Sequence, residues 1–252
     1  MQVEKYLKEK IEREKLLFTL IDPIDYKSLE EAIEKGKICC KFVDAVLIGG
    51  SIGVQGEVLD YVAKSIREES ERNGVPIILF PGNIATVTKY ADAIYFMTLL
   101  NSRNPYWITQ AQALAAPVIK RMKLEAIPVG YIVVEPGGSV GWVGDANLVP
   151  RKKPKLAVSM ALAGQYIGCH FILMDAGSAS ELGPIPKEII AETKAALEIP
   201  LIIAGGMRNE NEIIQTAKAG ADAVQIGTII QNLNKEKLQK FLSNVKRKLK
   251  SR

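Results

Sequence analysis

Histidine is almost missing from this chain of 252 residues: its single example, His170, opens the apolar run HFILMDAG. There it packs or orients rather than catalyses, so histidine acid–base chemistry is excluded. The cysteines are Cys39, Cys40 and Cys169, with no zinc-type pairing of motifs. The adjacent pair would make only a strained bridge, so all three read as small apolar fillers. No apolar run reaches the ~18–20 residues that span a bilayer, and the N-terminus, MQVEKYLKEKIEREK, is charged where a secretory signal would be apolar. The expectation is a soluble, cytoplasmic protein. No GxGxxG fingerprint follows the first strand-like run, LLFTLIDP, which counts against an open dinucleotide-binding sheet.

The length matches the roughly 250 residues of one complete (β/α)8 barrel, and the 48% apolar content can fill such a core. A single domain over 1–252 is therefore expected. Net charge is +5, with much of the basic excess in the closing run KEKLQKFLSNVKRKLKSR. This reads as a solvated terminal helix packed on the barrel by Leu238, Phe241, Leu242 and Val245. Peripheral contact with an anionic membrane is its second use, and no nucleic-acid partner is expected.

Eight apolar, often β-branched runs bounded by turn residues can be marked: 16–22, 45–50, 76–80, 93–100, 127–134, 171–177, 200–206 and 223–228. Helical spacing alternates with most of them, as at Leu29, Ile33 and Ile38, at Val58, Val62 and Ile66, and at Ile213, Ile214 and Ala217. The pattern predicts an α/β fold, a closed parallel (β/α)8 TIM barrel. Between the third and fourth runs only 83–92 is available, so the third helix should be short or replaced by a loop. The Gly- and Pro-rich stretch 136–154 has no helical pattern. It follows strand five on the face where barrels carry active-site loops, and it reads as a lid or binding loop.

Barrel active sites are built where strands end. Asp22 closes strand one, Ser51 follows the turn of strand two, and Asn101 follows strand four. Tyr131 and Glu135 lie on or just after strand five, and Asp175 lies near the end of strand six. Asp22 and Ser51 form a hard-oxygen pair of the kind Mg²⁺ accepts, although an Asp before Pro also simply caps a turn. Three small-residue turns, Gly177-Ser178, Gly205-Gly206 and Gly227-Thr228, fall on adjacent strands. Glycine admits close approach of a phosphate to backbone N–H groups, and Ser178 and Thr228 add hydroxyl donors. A phosphorylated small molecule is the expected ligand.

The ordered set LIDP, LIGGS, PGN, MTLLNSRNPYW, PVGYIVVEPGGSVGWVGDA, MDAGSAS, AGGMRN and QIGT resembles the geranylgeranylglyceryl phosphate synthase family over nearly the whole chain. It looks closest to the archaeal-type branch with the long LLNSRNPYW segment. The resemblance implies a Mg²⁺-dependent prenyltransferase that joins the 3-hydroxyl of sn-glycerol 1-phosphate to geranylgeranyl diphosphate and releases pyrophosphate, the first ether bond of archaeal membrane lipids. By the family pattern Asp22 and Ser51 hold the metal. The segment Leu173, Met174, Asp175, Ala176, Gly177, Ser178 and Ala179, with Gly205, Gly206, Gly227 and Thr228, binds glycerol phosphate. Asp175 is placed as the base, where family members often carry the longer Glu, and Tyr131 as its donor or orienting partner. The prenyl tail needs an apolar groove, which Tyr95, Met97, Tyr106 and Trp107 beside the short third connection would supply, although Tyr106 and Trp107 on an outer helix suit a subunit interface equally well. Relatives form dimers and hexamers, so a homo-oligomer is expected.

Two other readings compete. A phosphate-binding barrel isomerase or synthase of histidine, tryptophan or thiamine biosynthesis explains the glycine turns but not LIDP, GGS and NSRNPYW together. Lysine is also absent from the ends of strands one, two and six, which disfavours Schiff-base chemistry. A non-catalytic anion-binding scaffold leaves Asp22, Ser51 and Asp175 without a purpose. Within the prenyltransferase reading, a donor of different chain length stays open.

Overall fold

Each of the eight apolar runs forms a strand, and each strand pairs in parallel with the next until β8 returns to β1. They are β1 (Leu16–Ile21), β2 (Ala45–Gly49), β3 (Ile77–Phe80), β4 (Ala93–Leu99), β5 (Glu125–Val133), β6 (Phe171–Asp175), β7 (Leu201–Ala204) and β8 (Ala223–Ile226). The computed structural model describes residues 2–250. Met1, Ser251 and Arg252, which the single-domain reading includes, lie outside the described residues.

Ten α-helices accompany the strands among the described residues: α1 (Val3–Ile11), α2 (Leu29–Cys39), α3 (Gly56–Asn73), α4 (Ala111–Met122), α5 (Gly138–Val143), α6 (Pro154–Tyr166), α7 (Lys187–Ala196), α8 (Glu210–Lys218), α9 (Thr228–Gln231) and α10 (Lys235–Lys250). No helix joins β3 to β4, as expected from the shortness of that connection. None of the described helices is long and apolar enough to cross a membrane.

Strand alternation splits the apolar side chains into two cores. Phe18, Leu47, Ile78, Tyr95, Val129, Phe171 and Ile202 fill the barrel interior. Leu17, Ile48, Ile77, Ile132, Ile172 and Ile203 face outward into the layer beneath the helices. Cys39, Cys40 and Cys169 are buried and free, in the outer layer. Helix α1 closes the lower end of the interior with the fully buried Val3 and Leu7. Its first N–H groups, from Val3 and Glu4, donate to the Glu125 carboxylate at 2.6 and 2.8 Å, a carboxylate meeting the positive end of a helix. His170 meets Glu4 of this helix at 2.9 Å, an orienting role away from the pockets.

The lower rim repeats one device. Asp44, Asp92 and Asp222 each immediately precede an even-numbered strand, in the local sequences DAV, DAI and DAV. Each carboxylate accepts the N–H of the preceding strand's first residues: Leu17 to Asp44 at 2.8 Å, Ile77 to Asp92 at 2.9 Å and Leu201 to Asp222 at 2.9 Å. Each backbone N–H donates back to the same residue's carbonyl. The result is a two-point clamp on strand register. Cations complete it: Lys10 and Lys246 both reach Asp44 at 2.6 Å, and Lys194 reaches Asp222 at 2.6 Å.

Lys246 belongs to α10, so one charge of the basic terminal run is committed to a buried carboxylate, while Leu238, Leu242 and Val245 pack inward and Phe241 is half-buried against the same core. Asp44→Ala strands two lysines and an unpaired strand N–H, and should lower the unfolding free energy by about 3–5 kcal/mol. Urea denaturation checks this; a loss under ~1 kcal/mol, the worth of an exposed pair, would show that the clamp does not hold α10.

Candidate active site

The upper ends of the strands enclose two adjoining spaces of opposite character. The first, about 1010 Å³, lies over β6, β7 and β8 and is lined by Asp175, Ser178, Ala179, Gly205, Gly206, Arg208, Gln225, Gly227, Thr228 and Asn232. Small residues are obligatory there. Gly205 has φ +82°, and a Cβ on it would lie 2.5 Å from Asp175 Oδ1 and 2.8 Å from the Gly177 nitrogen. Helix α9 begins at Thr228, directly after Gly227, so opening N–H groups of its first turn have no intrahelical partner. The three turns predicted to converge do so, with Ser178 and Thr228 among them. Leu173, Met174 and Ala176 do not line this space: Leu173 packs in the barrel interior, and Met174 and Ala176 face the outer layer. Strand alternation leaves only every second residue of β6 facing inward, and the inward one at its end is Asp175. Gly177 supports the wall through its N–H bond to Asp175.

The second space, about 860 Å³, is an apolar groove between the 81–92 connection and α4. Phe80, Tyr95, Met97, Trp107, Ile119 and Tyr131 are among its lining residues. The absent helix between β3 and β4 is what opens this flank. Tyr106 does not line it; it stacks edge-on against Trp107 with ring centroids 4.9 Å apart. Both sit in a wide π-helical turn, Tyr106–Gln110, that leads into α4. Gln112 ties that turn to β4 by donating to the carbonyls of Met97 and Trp107.

The 136–154 stretch departs from the expectation of no helix, because α5 forms within it. Gly137 enters in the left-handed region with φ +82°, and Val140 packs onto the interior core. Burial of one apolar face thus overrides the poor helix propensity of its glycines. Val140 and Val143 form part of the groove wall. Asn101 and Glu135 organise this loop rather than face either space. Asn101 binds Val133 and the Asn147 carbonyl through its amide, and Glu135 accepts the Arg151 N–H. The Arg151 guanidinium donates to the carbonyls of Glu135, Leu182 and Pro184, stitching the loops after β5 and β6 together.

Tyr131 lines the groove, and its hydroxyl donates to Asp175 Oδ2 at 2.8 Å across the boundary into the polar pocket. Gly177 N–H donates to Asp175 Oδ1 at 2.7 Å. Burial pushes the Asp175 carboxyl above its ordinary range, and these two hydrogen bonds pull it back. Burial beside that carboxylate also keeps the Tyr131 phenol protonated and a donor. A carboxylate with a raised affinity for protons at such a boundary suits a general base.

Asp22 lines neither space but lies against Gly50, which with Ser51 forms part of the groove wall. Asp22 accepts the Ile24 N–H at 3.4 Å, the capping role that its place before Pro23 allows. Its carboxylate also fills the space where Gly50 lacks a side chain, since a Cβ there would lie 2.0 Å from Oδ2. Burial, with Asp25 adding to it, pushes Asp22 to about 7. Gly50 and Ser51 line the groove, bringing the hydroxyl into the same corner. A partly buried carboxylate with no cation among the groups acting on it, next to a hydroxyl, fits a hard divalent cation. Among the described residues no three His, Cys, Asp or Glu side chains gather around a metal position, so oxygens of a substrate would complete the shell.

Sequence reasoning missed Arg208, Asn232 and Gln225. Arg208 donates to the Ser180 carbonyl at 2.7 Å and faces the polar pocket. The signal for Gln225 was present as a polar residue in the inward phase of AVQIGT.

The PcrB family model matches residues 9–245. The geranylgeranylglyceryl phosphate synthase of Pyrococcus furiosus is 46% identical over 248 residues, covering 98% of this chain and 97% of that protein. The Thermococcus kodakarensis protein of the same name is 48% identical over 251 residues, covering 97% and 98%. The crystal structure of (S)-3-O-geranylgeranylglyceryl phosphate synthase from Thermoplasma acidophilum, in complex with its substrate sn-glycerol-1-phosphate, superposes with a TM-score of 0.93 at 32% identity, covering all of both chains. Match, identity and superposition run from end to end of the barrel just described, and the chain belongs to the PcrB family, with the geranylgeranylglyceryl phosphate synthases.

Proposed function

We propose that this protein is a Mg²⁺-dependent prenyltransferase that joins the 3-hydroxyl of sn-glycerol 1-phosphate to geranylgeranyl diphosphate. The observation that carries the proposal is the Tyr131–Asp175 hydrogen bond at the meeting of a polar pocket and an apolar groove. A reaction between a small phosphorylated alcohol and a long apolar donor needs such a boundary. The names of the relatives support sn-glycerol 1-phosphate as acceptor and a geranylgeranyl group as the part transferred.

In this reading Gly177, Ser178, Ala179, Gly205, Gly206, Gly227 and Thr228 hold the glycerol phosphate, with Arg208 adding charge. Leu173, Met174 and Ala176 act from behind, as the wall that fixes Asp175. The acceptor hydroxyl loses its proton to Asp175, its oxygen forms the bond to the prenyl C1, and the C1–oxygen bond to pyrophosphate breaks. Tyr131 holds the carboxylate toward the acceptor. Positioning supplies most of the acceleration, because an allylic carbon needs little activation of its nucleophile. Asp22 and Ser51 would hold Mg²⁺, which when bound neutralises charge on the departing diphosphate. The prenyl chain lies along Phe80, Met97, Trp107 and Ile119, and its exclusion of water strengthens the electrostatics around Asp175.

The same proposal has the enzyme acting in the cytoplasm, in peripheral contact with the membrane that receives its product, as a homo-oligomer, a dimer or hexamer. The exposed Leu114, Trp142, Tyr166 and Ile167 are apolar surface that subunit contact would cover.

Purified protein with labelled sn-glycerol 1-phosphate, geranylgeranyl diphosphate and Mg²⁺ should yield an organic-extractable phosphoether, lost on chelation by EDTA. Parallel reactions with farnesyl and heptaprenyl diphosphates read the chain length, and no product from any donor would sink the proposal. Tyr131→Phe should lower kcat by about tenfold or more. It should also move the acidic limb of the pH–rate profile to higher pH, because the base works ionised and the lost hydrogen bond favours that form. An unmoved limb would show that Tyr131 does not act on the carboxylate.

Asp175→Asn should cost about 10²–10⁴ in kcat yet raise the melting temperature at neutral pH. The folded-state pKa of Asp175 is raised, so its contribution to stability is full below the unfolded pKa and is lost as pH rises through the folded one. The gain should therefore vanish when melts are repeated in acid. A gain that persists there would contradict this origin.

A further inference from the structure

Helix α2 carries a cation that the proposed chemistry leaves unused. Lys35 is 6% exposed, and among the described residues no other lysine or arginine is as deeply buried. A buried ammonium is costly unless acceptors meet it, and here three groups do. Its Nζ donates to the backbone carbonyl of Gln231, pairs with Glu31 at 2.9 Å and lies 5.3 Å from the centre of the Tyr26 ring. Glu31 sits one turn away on the same helix, so that pair needs no burial. Gln231 is 196 positions further along the chain, the last residue of α9. Carbonyls at a helix end have no intrahelical partner, and a cation suits them. Lys35 thereby fixes the end of α9 against α2.

Gln231 is held a second time. Its side-chain amide donates to Asp25 Oδ2 at 3.2 Å. Asp25 ends the turn Pro23–Asp25 that Asp22 opens, and its N–H returns to the Asp22 carbonyl at 3.1 Å. One residue therefore ties together two turns with different duties. The turn after β1 carries the carboxylate placed for Mg²⁺. Helix α9 is a single turn, closed by the Ile230 N–H on the Gly227 carbonyl at 2.9 Å, and its first residue, Thr228, lines the polar pocket. So short a turn moves as one body, and Thr228 follows Gln231.

We infer that Lys35 and Gln231 are positioning residues that couple the two substrate sites, so that metal-bound diphosphate at Asp22 and glycerol phosphate at Thr228 bind cooperatively. The inference rests on the prenyltransferase proposal above and adds to it a link between the two halves of the site. A cation drawn onto Asp22 orders the turn that carries Asp25. A phosphate on the Gly227-Thr228 turn orders the helix that carries Gln231. Each ligand thus secures one side of the same hydrogen bond, and the second finds its half already in place.

The test is calorimetric titration of sn-glycerol 1-phosphate into the protein, alone and with saturating Mg²⁺ and pyrophosphate, which takes the place of the donor's diphosphate without reacting. Wild-type affinity should rise about fivefold or more in their presence, and glycerol phosphate should tighten pyrophosphate binding by the same factor. Lys35→Met, which keeps the stem and removes the ammonium, should erase both gains. Gln231→Met should do so too, since it leaves the backbone carbonyl to Lys35 and removes only the bond to Asp25. A merely structural role predicts something else: a lower melting temperature, with glycerol phosphate bound more weakly by one factor under both conditions. That result overturns the inference, as does a wild-type affinity that pyrophosphate leaves unchanged or lowers. Should Lys35→Met fail to fold, Gln231→Met decides. A wild type that binds no glycerol phosphate under either condition overturns the prenyltransferase proposal first, and this inference with it.

Discussion

The hydrogen bond between Tyr131 and Asp175 joins two environments that would otherwise exclude each other. On one side the phenol ring belongs to an apolar groove, tilted against Phe80 with centroids 5.8 Å apart. On the other, the carboxylate faces glycine turns and a guanidinium. A buried carboxylate is tolerable only with donors on it, and here they come from opposite sides, a side-chain hydroxyl on β5 and a backbone N–H beyond β6. The glycine at 205 follows from this arrangement, since any side chain there would collide with the carboxylate it is meant to leave free.

The groove exists because the barrel omits something. Seven of the eight strand-to-strand intervals, counting the return to β1, carry helices, whereas the 81–92 connection does not. The omission removes the outer cover from β3 and β4, and Trp107, Ala115 and Ile119 reach in from the far side of the opening. A regular barrel would bury that surface and gain stability. This one leaves it available to a long apolar ligand, so the stability forgone in the empty fold is recoverable on binding.

Much of this was legible in the sequence. Apolar runs bounded by turn residues located every strand, and the rule that barrel sites lie at strand ends picked out Asp22, Ser51, Tyr131 and Asp175 directly. The missing third helix followed from counting residues. What was not legible depends on partners distant in the chain. Helix α5 forms because Val140 finds the interior core, which no local propensity announces. Leu173, Met174 and Ala176 belong to a contiguous motif, but alternation turns Met174 and Ala176 outward, and Leu173 packs in the barrel interior below the ligand space. Tyr106 and Trp107 are adjacent, yet only one faces the groove.

The aspartate clamps of the lower rim also bear on how the chain assembles. They link residues 27, 15 and 21 positions apart, so β1–β2, β3–β4 and β7–β8 can each latch while the rest of the chain is unformed, at a small entropic cost of loop closure. The pair β5–β6 has no such latch, since His170 stands where the aspartate would be. That residue instead meets Glu4 of α1, while the start of β5 supplies Glu125 to cap the same helix. Helix α1 is therefore held by residues 121 to 166 positions further along the chain. Its docking both secures the unlatched pair and stops the open end of the barrel.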